Sequence, residues 1–179
     1  MPNHKVALVI ASKGYQQVEY GIPKKMLEEM GFTVITVSDK AEVATAKDGS
    51  TTKVNLLLND VNLKDLIGIF FIGGPSALEH LDNQTSYTLI QQAAEINLPF
   101  GAICISTRIL AKAGVLKGKQ ATGWNEDGLL NQIYKEHGVL YIPNNVVSDD
   151  NIVTATGPQA AQEFAEEIIT VLQDQKGWD

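Results

Sequence analysis

Apolar residues run almost unbroken from Lys5 to Ala11 (KVALVIA), the pattern of a strand covered on both faces within a parallel sheet. Ser12, Lys13 and Gly14 then read as a turn. Apolar positions Val18, Ile22, Met26, Leu27 and Met30 follow at helical spacing, with Gly31 as the stop. Phe32 to Ser38 (FTVITVS) predicts a second strand, so the chain opens on a β-α-β unit of the kind that builds a right-handed parallel crossover. From Ala41 to Val54 short β-prone pieces flank Lys47-Asp48-Gly49-Ser50. Asp-Gly between extended runs signals a hairpin, here an excursion at the sheet edge.

The alternation resumes with a strand over Leu66 to Ile72, a Gly73-Gly74-Pro75 turn and helices over Ser76 to Leu81 and Gln84 to Ile96. Leu98 to Ile103 predicts the next strand, running into Cys104-Ile105-Ser106 and a helix from Thr107 to Ala113. Beyond it the pattern predicts a short strand near Gln120 to Thr122 and a helix from about Glu126 to Glu136. Short strands around Val139 to Tyr141 and Ile152 to Ala155 follow, then an amphipathic helix over Gln159 to Leu172, with Pro158 suited to its first turn. Strands alternating with helices predict one doubly wound α/β domain over residues 1–179, an open, mostly parallel sheet with helices on both faces. In such sheets ligands bind beyond the carboxyl ends of the strands. The loops Ser12 to Glu19, Gly73 to Pro75 and Cys104 to Ser106 should therefore meet.

Composition narrows the function. With 179 residues, 44% hydrophobic and 20% charged, the chain has ordinary globular usage. A formal net charge of −7 and no Lys/Arg cluster argue against nucleic acid and anionic membrane surfaces as partners. The apolar runs fall far short of the ~20 residues of a membrane helix, and Met1 to Lys5 is too polar for a signal sequence. A cytoplasmic protein is the expectation. The single cysteine, Cys104, excludes an internal disulfide and a multi-cysteine zinc site.

A cysteine where a buried strand turns sharply into a helix is presented by the backbone, as in a nucleophile elbow, and the helix's positive end favours its thiolate. By position alone it could equally be a small core hydrophobe. Gly73 and Gly74 let backbone approach a ligand closely. Because Pro75 has no N–H, Gly74 is the better oxyanion donor, with the Ile105 amide as the second. Ser106 reads as a helix N-cap at the edge of the pocket. Trp124 is either a pocket wall or an interface residue. Arg108 either attracts an anionic substrate or pairs with a carboxylate. His4, His80 and His137 lack metal-ligand spacing and read as surface or helix-end residues, so no metal or other cofactor is expected.

Several separated motifs carry a resemblance that spans nearly the whole chain. They are Ile69-Phe70-Phe71-Ile72-Gly73-Gly74, Ala102-Ile103-Cys104, Ala113-Gly114-Val115-Leu116-Lys117-Gly118 and Thr156-Gly157-Pro158. In these the sequence resembles the ThiJ/PfpI superfamily, which includes the Parkinsonism-associated deglycase, PfpI-type intracellular proteases and glutathione-independent glyoxalases. The resemblance implies a flavodoxin-like sheet, related to that of class I glutamine amidotransferases, and a homodimer or higher homo-oligomer. It places Cys104 at the nucleophile position and Glu19, within Gln17-Val18-Glu19, at that of the acidic partner. From spacing alone Glu19 would be an exposed acid in a first helical turn.

The pattern departs from the family at two places. Ile105 stands where hydrolase members carry a histidine, and Ala121-Thr122-Gly123-Trp124 replaces a Thr-His-Pro-like element. A Cys-His-Asp triad is therefore not expected, nor the His-x-Glu of glutamine amidotransferases. The function implied is a cysteine-dependent enzyme acting on a small reactive carbonyl, glyoxalase- or deglycase-like. The alternatives are a redox-sensing protein with an oxidisable cysteine, or a PfpI-like peptidase or amidohydrolase.

Overall fold

The computed structural model describes residues 3–40 and 42–175. The first unit is β1 (Lys5–Ile10), β2 (Lys13–Tyr15), α1 (Gln17–Glu29) and β3 (Thr33–Ser38). Next come β4 (Val43–Ala46), β5 (Thr51–Lys53), β6 (Leu56–Leu57), β7 (Gly68–Phe71), α2 (Ala77–Leu81) and α3 (Gln84–Glu95). The second half holds β8 (Phe100–Ile103), α4 (Thr107–Lys112), β9 (Gln120–Ala121) and α5 (Leu130–Glu136). It ends with β10 (Leu140–Tyr141), β11 (Val146–Asp149), β12 (Ile152–Ala155) and α6 (Ala161–Gln173).

The central sheet has the order β11-β12-β8-β7-β1-β3-β6, parallel throughout except for antiparallel β11. Strands β7, β8 and β12 are buried at every position and β1 at all but its first, which is why they read as continuous apolar runs. From β1 the chain crosses to β3 on one side, and later to β7 on the other, so the order reverses between β1 and β7. Right-handed crossovers then put α1 and α6 together, and α3 and α4 together, on opposite faces. The carboxyl ends of β1, β7 and β8 open at the switch point, where doubly wound sheets bind ligands.

Several boundaries differ from the sequence expectation. Lys13–Tyr15 is a short strand rather than a turn, joining β4 and β5 in a separate three-stranded sheet. The expected hairpin over Lys47 to Ser50 is present, although Ala41, where that excursion was taken to start, lies outside the described residues. Strand β9 pairs with β10 away from the main sheet, while β6 and β11 extend its two edges. Helix α5 starts later than expected because residues 125–129 form a turn. There Asn125 accepts from the Leu130 amide, Asp127 accepts from the Leu129 amide, and Gly128 has a φ of 72°.

Helix α1 lies where expected but buries a different face. Glu19, Tyr20, Pro23 and Leu27 point inward, whereas Ile22 and Met30 are 37% and 47% exposed. The helix is entered through the Gln16 side chain, which accepts from the Val18 amide at 2.6 Å. Its rotation is thereby set by polar contacts rather than by the apolar stripe. No helix among the described residues is long and apolar enough to cross a membrane.

Glycine is required where β8 runs between its neighbours. A Cβ on Gly101 would overlap the Val153 carbonyl of β12. Gly101→Ala is therefore expected to destabilise the protein by about 1–3 kcal/mol, since overpacking against backbone must move a strand. Denaturant unfolding checks this, and a loss below ~0.5 kcal/mol would contradict the close approach.

Candidate functional site

Cys104 follows β8 directly and adopts a φ of 63°, a left-handed conformation that L side chains rarely take. Neighbouring groups hold it there. The Ser106 hydroxyl donates to the Ile72 carbonyl at 2.7 Å, tying the elbow to the end of β7. The Thr107 hydroxyl and the Trp124 amide both donate to the Cys104 carbonyl, at 3.0 and 3.2 Å. Ser106 is thus not the side-chain N-cap expected of it, since its hydroxyl is committed to the neighbouring strand. Cys104 itself is 9% exposed.

The loop after β7 passes directly over this elbow. The Gly73 amide donates to Glu19 Oε1 at 2.9 Å, and the Gly73 carbonyl accepts from the Gln16 amide at 3.0 Å. A Cβ on Gly73 would lie 2.6 Å from both Cys104 Cβ and Glu19 Oε1, so only glycine fits between them. Gly74, with a φ of 136°, packs as closely against Gly14 to Gln16. The Gly74 and Ile105 amides lie beside the Cys104 sulfur and favour its charged form. The three loops after the strand ends therefore meet, with Glu19 brought in by the first turn of α1.

Glu19 is 0% exposed. Burial pushes its carboxyl up to about 7, against hydrogen bonds from the Cys104 thiol and the Gly73 amide and the nearby charge of Lys47. Its Oε2 has no hydrogen-bond partner, and the Cys104 thiol is the polar group beside the carboxyl. Burial also pushes the Cys104 thiol up, reinforced by the Glu19 charge; the Ile105 and Gly74 amides work in the opposite direction. The expected preference for thiolate through the helix dipole is thus overridden, because desolvation and an adjacent carboxylate oppose a second negative charge. Below about 7 both acids hold their protons, above it Glu19 is a carboxylate beside a neutral thiol, and a thiolate forms there by passing the thiol proton to Glu19.

Trp124 is half-buried beside the elbow, with the Arg108 guanidinium 5.4 Å from its ring. Arg108, 6% exposed, forms a fork on Asp127 at 2.7 and 2.9 Å and also donates to the Trp124 carbonyl. Of the two readings of Arg108 the structure takes the carboxylate pair. This braces the loop carrying Trp124 and leaves the guanidinium engaged.

The sequence reading missed one polar cluster. Asp39, just past β3, accepts from the Ser12 amide at 2.7 Å and the Ser12 hydroxyl at 3.0 Å, and pairs with His80 Nδ1 at 2.8 Å. Burial opposes its charge, yet these hydrogen bonds hold its carboxyl below the usual range. His80, in the last turn of α2, is a helix-end residue as expected, but a partly buried one hydrogen-bonded to Asp39. It does not form a serine triad, because Ser12 and His80 both bond to the carboxylate. The available signal was positional, since Ser12 and Asp39 each follow the carboxyl end of one of two adjacent parallel strands. His137 lies at the end of α5, as expected, with Nδ1 near the Ile133 carbonyl. Among the described residues no three of His, Cys, Asp and Glu come together as a metal-holding group.

Fold and site together define a doubly wound α/β protein with a cysteine at the strand-to-helix elbow and an acid hydrogen-bonded to it. Residues 4–171 match the model of the DJ-1/PfpI family, and the chain belongs to that family. An uncharacterised protein of Methanocaldococcus jannaschii is 33% identical over 174 residues, covering 97% of this chain and 84% of its own length. Bacillus subtilis YraA, whose name proposes a cysteine protease, is 28% identical over 174 residues, covering 94% and 98%. A ThiJ/PfpI domain protein from Brachyspira murdochii superposes with a TM-score of 0.92 at 24% identity, covering 98% of this chain and 100% of its own. Schizosaccharomyces pombe DJ-1 gives a TM-score of 0.79 at 19% identity, covering 96% and 98%. These structural likenesses establish a flavodoxin-like fold.

The folded protein holds a proton on Glu19 that the unfolded chain releases between about pH 4.5 and about pH 7. Stability attributable to this group therefore falls as pH rises through that window. Glu19→Gln lacks the titration. Its stability relative to the parent is expected to improve by about 3 kcal/mol from below to above the window. Urea unfolding of both proteins at the two limits checks this, and a pH-independent difference would refute it.

Proposed function

We propose that this chain is a cysteine-dependent enzyme acting on small reactive carbonyl compounds, of the glyoxalase or deglycase kind, with Cys104 as nucleophile and Glu19 as proton shuttle. The observation that carries the reading is the buried Glu19 carboxyl, fixed by the Gly73 amide beside the Cys104 thiol and pushed up to about 7 by burial. A general acid–base group works best when its pKa lies near the operating pH.

With methylglyoxal, proton transfer from Cys104 to Glu19 gives the thiolate, which adds to the aldehyde carbon. The carbon–sulfur bond forms and the carbonyl π pair moves to oxygen, opposite the Gly74 and Ile105 amides. Glu19 returns its proton to that oxygen, giving a hemithioacetal. Its carboxylate then removes the C1 proton, electrons pass to the C2 carbonyl, and Glu19 delivers the proton to C2. Moving the C1 hydroxyl proton to the C2 oxygen leaves a thioester, which water cleaves to lactate and free thiol. Carbon 1 is oxidised and carbon 2 reduced within one molecule, so the chemistry calls for no cofactor. A homo-oligomeric cytoplasmic protein with Gly73, Ser106 and Trp124 around a small-molecule pocket completes this reading.

A redox-sensing role finds support in the same contacts, because the Gly74 and Ile105 amides and a protonated Glu19 could hydrogen-bond the oxygens of a sulfinic acid on Cys104. Intact mass after mild peroxide tests it, a stable gain of two oxygens confined to Cys104 being the expected sign. Peptide or amide hydrolysis has support in the name of YraA, although Ile105 leaves no base beside the nucleophile.

The parent protein is expected to convert methylglyoxal to lactate, Cys104→Ala to lose all turnover, and Glu19→Gln to lose about 10²–10⁴-fold in kcat with a smaller change in KM. Lactate release under steady-state conditions measures all three. A parent no faster than Cys104→Ala would refute the enzymatic reading.

A further inference from the structure

The hairpin β4–β5 is not a remote excursion. The Thr45 amide donates to the Ser12 carbonyl at 2.9 Å, the Lys47 amide donates to the Tyr15 carbonyl at 2.7 Å, and Ala46 pairs with Tyr15 in parallel. A Cβ on Gly74 would lie 2.8 Å from Tyr15 Cα and from the Gln16 nitrogen. Since Gly73, next to Gly74, packs directly on Cys104, successive contacts link Lys47 to Tyr15, Tyr15 to Gly74, and the Gly73-Gly74 loop to the nucleophile. The hairpin turn is thus fastened to the loop that overlies the sulfur.

Basic side chains along the chain differ in how they are used. Arg108 is closed by Asp127, Lys112 by Asp82 and Lys119 by Asp150. Lys47 is exposed, and no carboxylate among the described residues forms an ion pair with it. Its exposed neighbour Asp48 accepts from the Ser50 amide at 2.9 Å and from the Ser50 hydroxyl, and its charge reaches Tyr15. The Lys47 charge acts instead on Glu19, in a chain whose formal net charge is −7. A cation so placed offsets the repulsion that an anionic reactant would meet from the site's own carboxylate.

We infer that Lys47 is a specificity-determining residue of this site, drawing the negative group of a carboxylate-bearing carbonyl compound, such as a 2-oxoaldehyde with a carboxylate further along its chain, toward Cys104. The inference rests on the proposed carbonyl chemistry for its substrate class. The carbonyl would take the nucleophile, as above, while the carboxylate faces the hairpin turn. The attraction is expected to weaken with salt, because Lys47 is exposed.

Alkylation of Cys104 by iodoacetate and by iodoacetamide tests it without turnover. The ratio of the two rates reports attraction of an anion and divides out changes in thiol ionisation. Lys47→Gln is expected to lower the iodoacetate:iodoacetamide ratio about three-fold at low ionic strength and Lys47→Glu about ten-fold, while Lys47→Arg keeps it. Added salt should lower the parent's ratio toward that of Lys47→Gln, so that the difference between the two shrinks. A ratio insensitive to all three substitutions overturns the role of Lys47 and leaves the enzymatic reading standing. A Cys104 that neither reagent modifies overturns both.

Discussion

One buried hydrogen bond, from the Gly73 amide to the Glu19 carboxyl, organises the end of the sheet where the cysteine elbow lies. A carboxylate taken wholly out of water is unfavourable unless hydrogen-bonded, and it responds by holding its proton more tightly. Glu19 shows that response, with its pKa pushed up to about 7. The bond also fixes geometry. It joins the first turn of α1 to the end of β7 at a point so close to Cys104 that no side chain fits at Gly73. Helix rotation, loop path and cysteine environment are therefore one constraint, and the exposed apolar edge of α1 at Ile22 and Met30 is its visible consequence.

The second element under constraint is the backbone of Cys104. A left-handed residue with a side chain costs about 1–2 kcal/mol, and such strain persists only where surrounding structure over-determines it. Ser106, Thr107 and Trp124 supply that structure through three hydrogen bonds, two of them on the carbonyl of Cys104 itself. The conformation presents the sulfur to the Gly74 and Ile105 amides and to Glu19 at once. Arg108 extends the bracing outward by clamping the Trp124 loop through Asp127.

Much of this framework could be read from residue order. Strands β1, β7, β8 and β12 announce themselves because burial on both faces forces unbroken apolar runs, and the loops at their carboxyl ends follow from the doubly wound architecture. Cys104 and Gly73 were visible for that reason. Contacts decided by tertiary geometry were not. Spacing alone made Glu19 an exposed helix-start acid, since nothing local tells that α1 turns its carboxyl toward Gly73. Strand β6 has two residues, and the Val146–Asp149 strand has only one position fully buried, so neither carries a distinct pattern. The bond between Asp39 and His80 joins residues 41 positions apart. The pairing of Lys47 with the Tyr15 loop likewise depends on a three-stranded sheet whose first strand looked like a turn.

The absence of a histidine next to the nucleophile changes what the site can be asked to do. Peptide hydrolysis requires a proton to reach the leaving amine while an activated water or thiolate is generated, which is why hydrolases place a base beside the nucleophile and orient it with a third group. Here the proton inventory at the sulfur is smaller, limited to the Cys104 thiol and the Glu19 carboxyl. Isomerising a 2-oxoaldehyde fits that inventory. The shuttle takes a proton from one carbon and returns it to the next, ending each cycle in the state in which it began. A carboxyl group titrating near neutrality can perform both halves, provided water stays out while the proton is in transit. The 0% exposure of Glu19 meets that condition, and the Gly73 amide keeps the carboxyl aimed as its charge changes. On this ground the proposed carbonyl isomerisation is preferred to amide cleavage.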